Sequence, residues 1–180
     1  MRLFCLFFFW VPLNSLAQTF PVDALSGKIY YAEEVLVKDG PQQDLYNRAK
    51  TWFANIEQNK KVLLVDDKAN GVLIGSCFFL IPDIANERTK PINLSCTIKI
   101  EVEDDRYWYS ITDLGILNNT ITKDLMNPHN LSISQPLEAI LFSPNKKSIK
   151  ENKKPHDLFL ELATQNKILT TIKDLKAAML

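Results

Sequence analysis

The stretch SCTIKIEVEDDRYWYSITDL, residues 95–114, alternates apolar and polar positions along most of its length. Successive side chains on a β-strand point to opposite faces, so a period of two sorts them into an inner and an outer set. Cys96, Ile98, Ile100 and Val102 fall on one face, and Thr97, Lys99, Glu101 and Glu103 on the other. Glu103-Asp104-Asp105-Arg106 reads as the turn into a second strand, YWYSIT, because Asp favours turns through local backbone hydrogen bonds. Strands of this kind predict an antiparallel sheet covered on a single side. Tyr107 and Tyr109 then join the apolar face, and Trp108 lies on the open one with Lys99 and Glu101. A Trp among mixed charges suits a binding platform. Packing beneath a loop or the C-terminal tail is the competing use.

The flanking segments fill in the plan. Residues 27–37, GKIYYAEEVLV, are rich in β-formers and predict a first strand, punctuated by KDG. Pro41 suits the first turn of a following helix. Leu45, Ala49, Trp52, Phe53 and Ile56 recur at helical spacing as one apolar stripe. Tyr46 borders that stripe with its hydroxyl toward water, and Arg48 lies off it, placed to pair with an acid. Next, two apolar runs flank DDKANG, where Asn70-Gly71 supplies positive φ angles for a hairpin. Residues 82–92 and 144–154 read as polar connections. PLEAILF reads as a short helix. From Pro155 onward Leu158, Leu162, Ile168, Leu169, Ile172, Leu175 and Met179 restore helical spacing, with a break expected near Asn166. The order β-α-β-β-β-β followed by C-terminal helices defines an α+β class, a curved antiparallel sheet with helices on one face.

Chemistry is sparse. His129 and His156 sit in NPHN and KPHD, neither beside a nucleophile in sequence, so a hydrolase would need a site assembled only in space. Adjacent Glu33 and Glu34 point to opposite faces of a strand and cannot easily share a ligand. Asp66-Asp67 and Asp104-Asp105 read as solvated turn acids, without the spacing of a calcium loop. No GxGxxG, phosphate loop or GxSxG occurs among the five glycines. The expected catalytic, metal and cofactor sets are therefore none.

The ends bound the setting. Arg2, the apolar run from Leu3 to Leu13 and Ser15-Leu16-Ala17 read as a signal peptide over residues 1–17, too short for a span of about 20 apolar residues. Cleavage removes Cys5 and leaves Cys77 and Cys96, either as a disulfide or as two buried thiols. Residues 18–143 hold 12 basic and 17 acidic side chains, and residues 144–180 hold 8 and 4. That balance lacks the clustered basic surface nucleic acid requires.

In order along the chain, GKIYYAEEVLV, DLYNRAKTWFANI, VLLVDDKANGVLIGS and CTIKIEVEDDRYWYSITDL resemble the domain of unknown function 4468. Leu45, Tyr46, Arg48, Ala49 and Trp52 match its Leu-Tyr-x-Arg-Ala-x-x-Trp helix, and Gly71 to Gly75 resemble its Gly-x-Ile-x-Gly hairpin, with the first β-branched position less exact. Asp105 and Trp108 stand where the family's next strand has glycine and arginine. The resemblance covers about residues 22–115 and implies a TBP-like fold in an exported bacterial protein, with no activity to transfer. The expected organisation is residues 18–125 as the TBP-like domain and 126–180 as an extension packed on it. The expected function is an exported, periplasmic or surface-associated module that binds a protein, peptide or glycan through Trp108, Lys99 and Glu101. A hydrolase or a carrier of a small apolar ligand is the alternative.

Overall fold

The computed structural model describes residues 20–56, 62–81, 91–117, 134–142 and 155–180. In chain order the elements are β1 (Tyr31–Leu36), α1 (Gln42–Asn55), β2 (Val62–Asp67), β3 (Val72–Ile81), β4 (Ile92–Glu103), β5 (Arg106–Leu117), β6 (Ser134–Pro136), α2 (Leu137–Leu141) and α3 (Pro155–Met179). The expected signal segment, most of the 82–92 connection, His129 and the 144–154 connection lie outside the described residues.

The strands form one open antiparallel sheet in the order β1-β5-β4-β3-β2, with β6 beside β5 past the end of β1. The alternation of β4 is kept throughout: Leu94, Cys96, Ile98, Ile100 and Val102 are buried, and Thr97, Lys99 and Glu101 are half-buried on the reverse. Tyr107, Tyr109 and Ile111 of β5 continue the buried face. The first strand begins later than the expected residue 27. Gly27, at φ +67°, closes a turn in which its N–H donates to the Asp23 carbonyl oxygen at 2.8 Å, so pairing with β5 starts only at Tyr31.

β1 and β2 lie at opposite edges, so α1 must carry the chain across the sheet. Its stripe does so with Leu45, Tyr46, Ala49, Trp52 and Phe53 all buried. Trp52 and Phe53 meet edge to face at 5.2 Å. Tyr46 departs from expectation: it is 2% exposed, and its hydroxyl donates to Asp66 rather than to water. Lys50 closes on the same carboxylate at 2.7 Å. Asp66 therefore lies in a strand and faces α1, not in the turn as expected, and it stays exposed to solvent. Lys50 first, then Tyr46, holds its carboxyl below the ordinary value of 3.8.

Three turns meet at the N-terminus of α1. Pro41 at the cap position offers no side-chain oxygen, which leaves the Gln42 N–H without a local partner. The β4–β5 turn supplies one: Asp104 Oδ1 accepts the Gln42 N–H at 2.8 Å. Asp105 Oδ1 accepts the Gly40 N–H at 3.0 Å, and the Asp105 N–H donates to the Gly40 carbonyl oxygen at 2.8 Å. Asp104 and Asp105 are exposed turn acids, as expected, and their carboxylates also accept these backbone N–H groups. Gln42 Nε2 donates to the Val102 carbonyl at 3.1 Å, and the Val102 N–H donates to the Gly71 carbonyl at 2.9 Å. Of the Asn70-Gly71 pair only Gly71 takes positive φ, at +68°, and a Cβ there would collide with the Val102 carbonyl oxygen.

α3 lies beside α1 on the same face and runs unbroken from Pro155 to Met179, so the break expected near Asn166 is absent. Its buried stripe also differs. Ile168, Ile172, Leu175 and Met179 are buried as expected, but Leu158, Leu162 and Leu169 are exposed. Leu160, Glu161, Thr164, Gln165 and Thr171 take the inner positions instead. Polar residues at inward positions break the apolar period, which is why the stripe misled. Arg48, expected to pair with an acid, instead donates from Nη1 to the Met179 carbonyl at 2.9 Å, a favourable cation at a helix C-terminus. Lys176 reaches back to Glu33 on β1 at 2.6 Å, and Tyr109 donates to the same carboxylate at 2.9 Å.

Truncating Trp52 to Ala is expected to cost about 3–5 kcal/mol in urea unfolding, the range for a buried aromatic. Asp104→Ala removes a helix-end acceptor and is expected to cost about 0.5–2 kcal/mol in the same assay. Lys176 first, then Tyr109, holds the Glu33 carboxyl below the ordinary 4.5. A lowered carboxylate stabilises above its unfolded value, and that stability is lost as pH falls through the folded value. Unfolding midpoints measured down the acid range should therefore decline less steeply for Lys176→Met than for the wild type.

Candidate functional site

The face of the sheet turned away from α1 and α3 is built by the outward set of the alternation. Trp108 on β5 lies directly across from Glu101 on β4 and from Glu34 on β1. Glu101 in turn faces Val72 on β3, so one row crosses four strands with the half-buried Trp108 inside it. Lys99 stands two residues from Glu101 on the same face, opposite Ser110 and Ile74. The three residues singled out from the sequence, Trp108, Lys99 and Glu101, are thus adjacent in space. Lys99 Nζ and Glu101 Oε1 form an ion pair at 2.9 Å, with side chains 40% and 46% exposed. A pair that exposed contributes about 0–1 kcal/mol, so its structural value is small.

Arg106 completes the group. Its guanidinium lies 4.9 Å from the centre of the Trp108 ring and is held there by Glu103 at 2.9 Å and Glu34 at 3.5 Å. Cation–π contact at an exposed site is worth about 0.5–1 kcal/mol, a modest bias toward this ring orientation. Sequence reading assigned Arg106 to the turn and missed this role. The cue was present, because a residue two before Trp108 on a strand shares its face. The acidic pair Glu33-Glu34 divides as expected, Glu33 to the helix side and Glu34 to this one.

Beyond Ser110 and Thr112 on β5 the strand kinks at Asp113, a non-glycine residue at φ 52°. Here a recess is lined by Asp23, Ser26, Lys28, Ile29, Tyr30, Thr112 and Asp113. Lys28 Nζ meets Asp113 Oδ1 at 2.8 Å, which holds the carboxyl below 3.8 and the ammonium above 10.5. An acid interrupting the apolar run ITDLG was the sequence signal for this kink. A second recess lies on the α1–α3 seam between Arg48, Trp52 and Ala178.

Among the described residues no group of three or more His, Cys, Asp or Glu side chains converges. His156 stands in the first turn of α3. Between the sheet and α1 the apolar layer is occupied by the chain's own side chains, with Leu45, Leu73, Ile98 and Ile100 fully buried. Among the described residues no helix is long and apolar enough to cross a membrane.

Residues 31–116 match the family described as a domain of unknown function, DUF4468, with TBP-like fold. The crystal structure of a TBP-like protein from Parabacteroides distasonis ATCC 8503 is similar, with a TM-score of 0.63 at 15% identity over 88% of this chain and 96% of that one. A DUF4468 family protein from Bacteroides ovatus ATCC 8483 gives a TM-score of 0.64 at 11% identity over 88% and 90%. Identities this low speak for the fold alone. No curated protein matches. The span from Tyr31 to Ile116 holds α1 and nearly all of the five long strands, and it is over this span that the chain matches the DUF4468 family of TBP-like fold.

Proposed function

We propose that the protein is an exported binding module that engages another protein through the sheet face carrying Trp108, Lys99 and Glu101. The observation behind this reading is the Trp108 row: an oriented indole flanked by charges of both signs on the face opposite α1 and α3. Export rests on the reading of residues 1–17 as a signal peptide, with the module working in the periplasm or at the cell surface.

A protein partner fits this face better than a glycan. Arg106 lies over the Trp108 ring, so that face of the indole is not free to stack on a sugar. Val72 and Ile74 extend the apolar part of the patch, and Lys99, Glu101 and Glu34 border it. Interfaces between proteins combine an aromatic anchor with charged borders in this way. Charge complementarity would then select the partner more than it sets affinity.

The test begins with capture from a cell-envelope extract and continues with titration of the captured protein, once purified, against variants. Trp108→Ala should weaken binding by at least about tenfold, since anchor truncation commonly costs about 2 kcal/mol or more. Lys173→Ala, on the exposed side of α3, should leave it unchanged. Equal loss with both variants, no loss with Trp108→Ala, or capture abolished by glycosidase treatment would each overturn the reading.

A further inference from the structure

The two cysteines of the described region occupy facing positions. In the antiparallel ladder of β3 and β4, Cys77 is the direct register partner of Cys96. Both side chains point to the helix-covered face, at 4% and 2% exposure, and both are thiols in this structure. Directly opposed residues in an antiparallel pair have Cα atoms about 4.5 or 5.5 Å apart, according to the kind of pair. Either separation falls inside the range of about 4.4–6.8 Å that a disulfide accepts. The side chains also meet, because the two thiols hydrogen-bond each other. Distance and direction, the requirements that sequence spacing leaves open, are both satisfied by the ladder.

We propose that Cys77 and Cys96 form a redox pair that closes into a cross-strand disulfide by exchange with an external disulfide. The electron balance is simple. One thiolate attacks a sulfur of the external disulfide, forming a mixed disulfide and releasing one reduced thiol. The second thiolate then attacks the protein sulfur of that mixed disulfide. The Cys77–Cys96 bond forms, and a second reduced thiol leaves carrying the remaining proton. The protein pair is oxidised by two electrons, and the external disulfide is reduced by two.

The surroundings dictate when this happens. The Cys77 thiol and burial together hold the Cys96 thiol well above its ordinary value, so thiolate is scarce once the helices are docked. Closure therefore belongs to the β3–β4 hairpin before α1 and α3 cover it, or to an opened state. Once made, the bond staples the two central strands and constrains the unfolded chain. This inference is independent of the Trp108 reading.

The experiment uses the full chain, refolded in a buffer of oxidised and reduced glutathione, alkylated and digested with trypsin. Cleavage after Arg88 separates the two cysteines, so a bridge joins two peptides in the mass spectrum. The expected result is a Cys77–Cys96 linked pair that dithiothreitol removes. The oxidised chain should melt several degrees higher than the reduced one, a gap that vanishes in Cys77→Ala/Cys96→Ala. Complete alkylation of both cysteines after oxidative refolding would overturn the proposal, as would a bridge joining either one to Cys5. An oxidised form that melts below the reduced one would overturn the staple.

Discussion

The hydrogen bond from the first helical N–H of α1 to Asp104 is the contact on which the arrangement of layers depends. α1 starts at one edge of the sheet and delivers the chain to the other, so its starting point fixes where β2 can pair. Pro41 fixes the backbone angle at that start yet has no side-chain oxygen to satisfy the helix end. The β4–β5 turn, more than sixty residues away in sequence, provides the missing acceptor with a negative charge suited to the helix dipole. The neighbouring bonds of Asp105 to Gly40 and Gln42 to Val102 lock helix, turn and strand as one unit. Gly71 completes it, because only a residue without Cβ lets the β2–β3 turn come so close to Val102.

With that corner fixed, the two faces of the sheet divide the work. The inner face is packed by α1 and α3 and contains the opposed Cys77 and Cys96. It also contains polar ties that a purely apolar layer would lack. Tyr46 with Asp66, Arg48 with Met179 and Lys176 with Glu33 each join one element to another. Hydrogen bonds and ion pairs have defined directions, so these contacts set the register of helices on a surface that burial alone would let slide. The outer face carries Trp108, Arg106, Lys99 and Glu101, whose charges pair with one another or with Glu34 and Glu103 and do not hold the layers together.

Much of this was legible in the sequence, for reasons that can be named. The period of two in β4 and β5 assigned Trp108, Lys99 and Glu101 to one face, because pleating leaves no freedom in that assignment. Leu45, Ala49, Trp52 and Phe53 were recognisable as a buried stripe for the corresponding helical reason. α3 was the least legible element. Thr164 and Gln165 lie inward while Leu158, Leu162 and Leu169 point outward, so apolar periodicity marked the wrong side of its N-terminal half. The stacking of Arg106 on Trp108 was missed because Arg106 was assigned to the turn.

The sequence by itself determined the order of the main strands and helices, the inner and outer sets of β4 and β5, and the family they resemble. Each follows from local periodicity or from ordered motifs, and neither needs knowledge of distant partners. Only the tertiary structure decided what the isolated polar residues do. Asp104 became a helix-end acceptor, Arg48 the partner of a C-terminal carbonyl, and Cys77 the neighbour of Cys96. Strand register and helix placement bring these groups together from tens of residues apart. A hydrogen bond or a thiol pair depends on distances of a few ångströms, which only the folded chain sets.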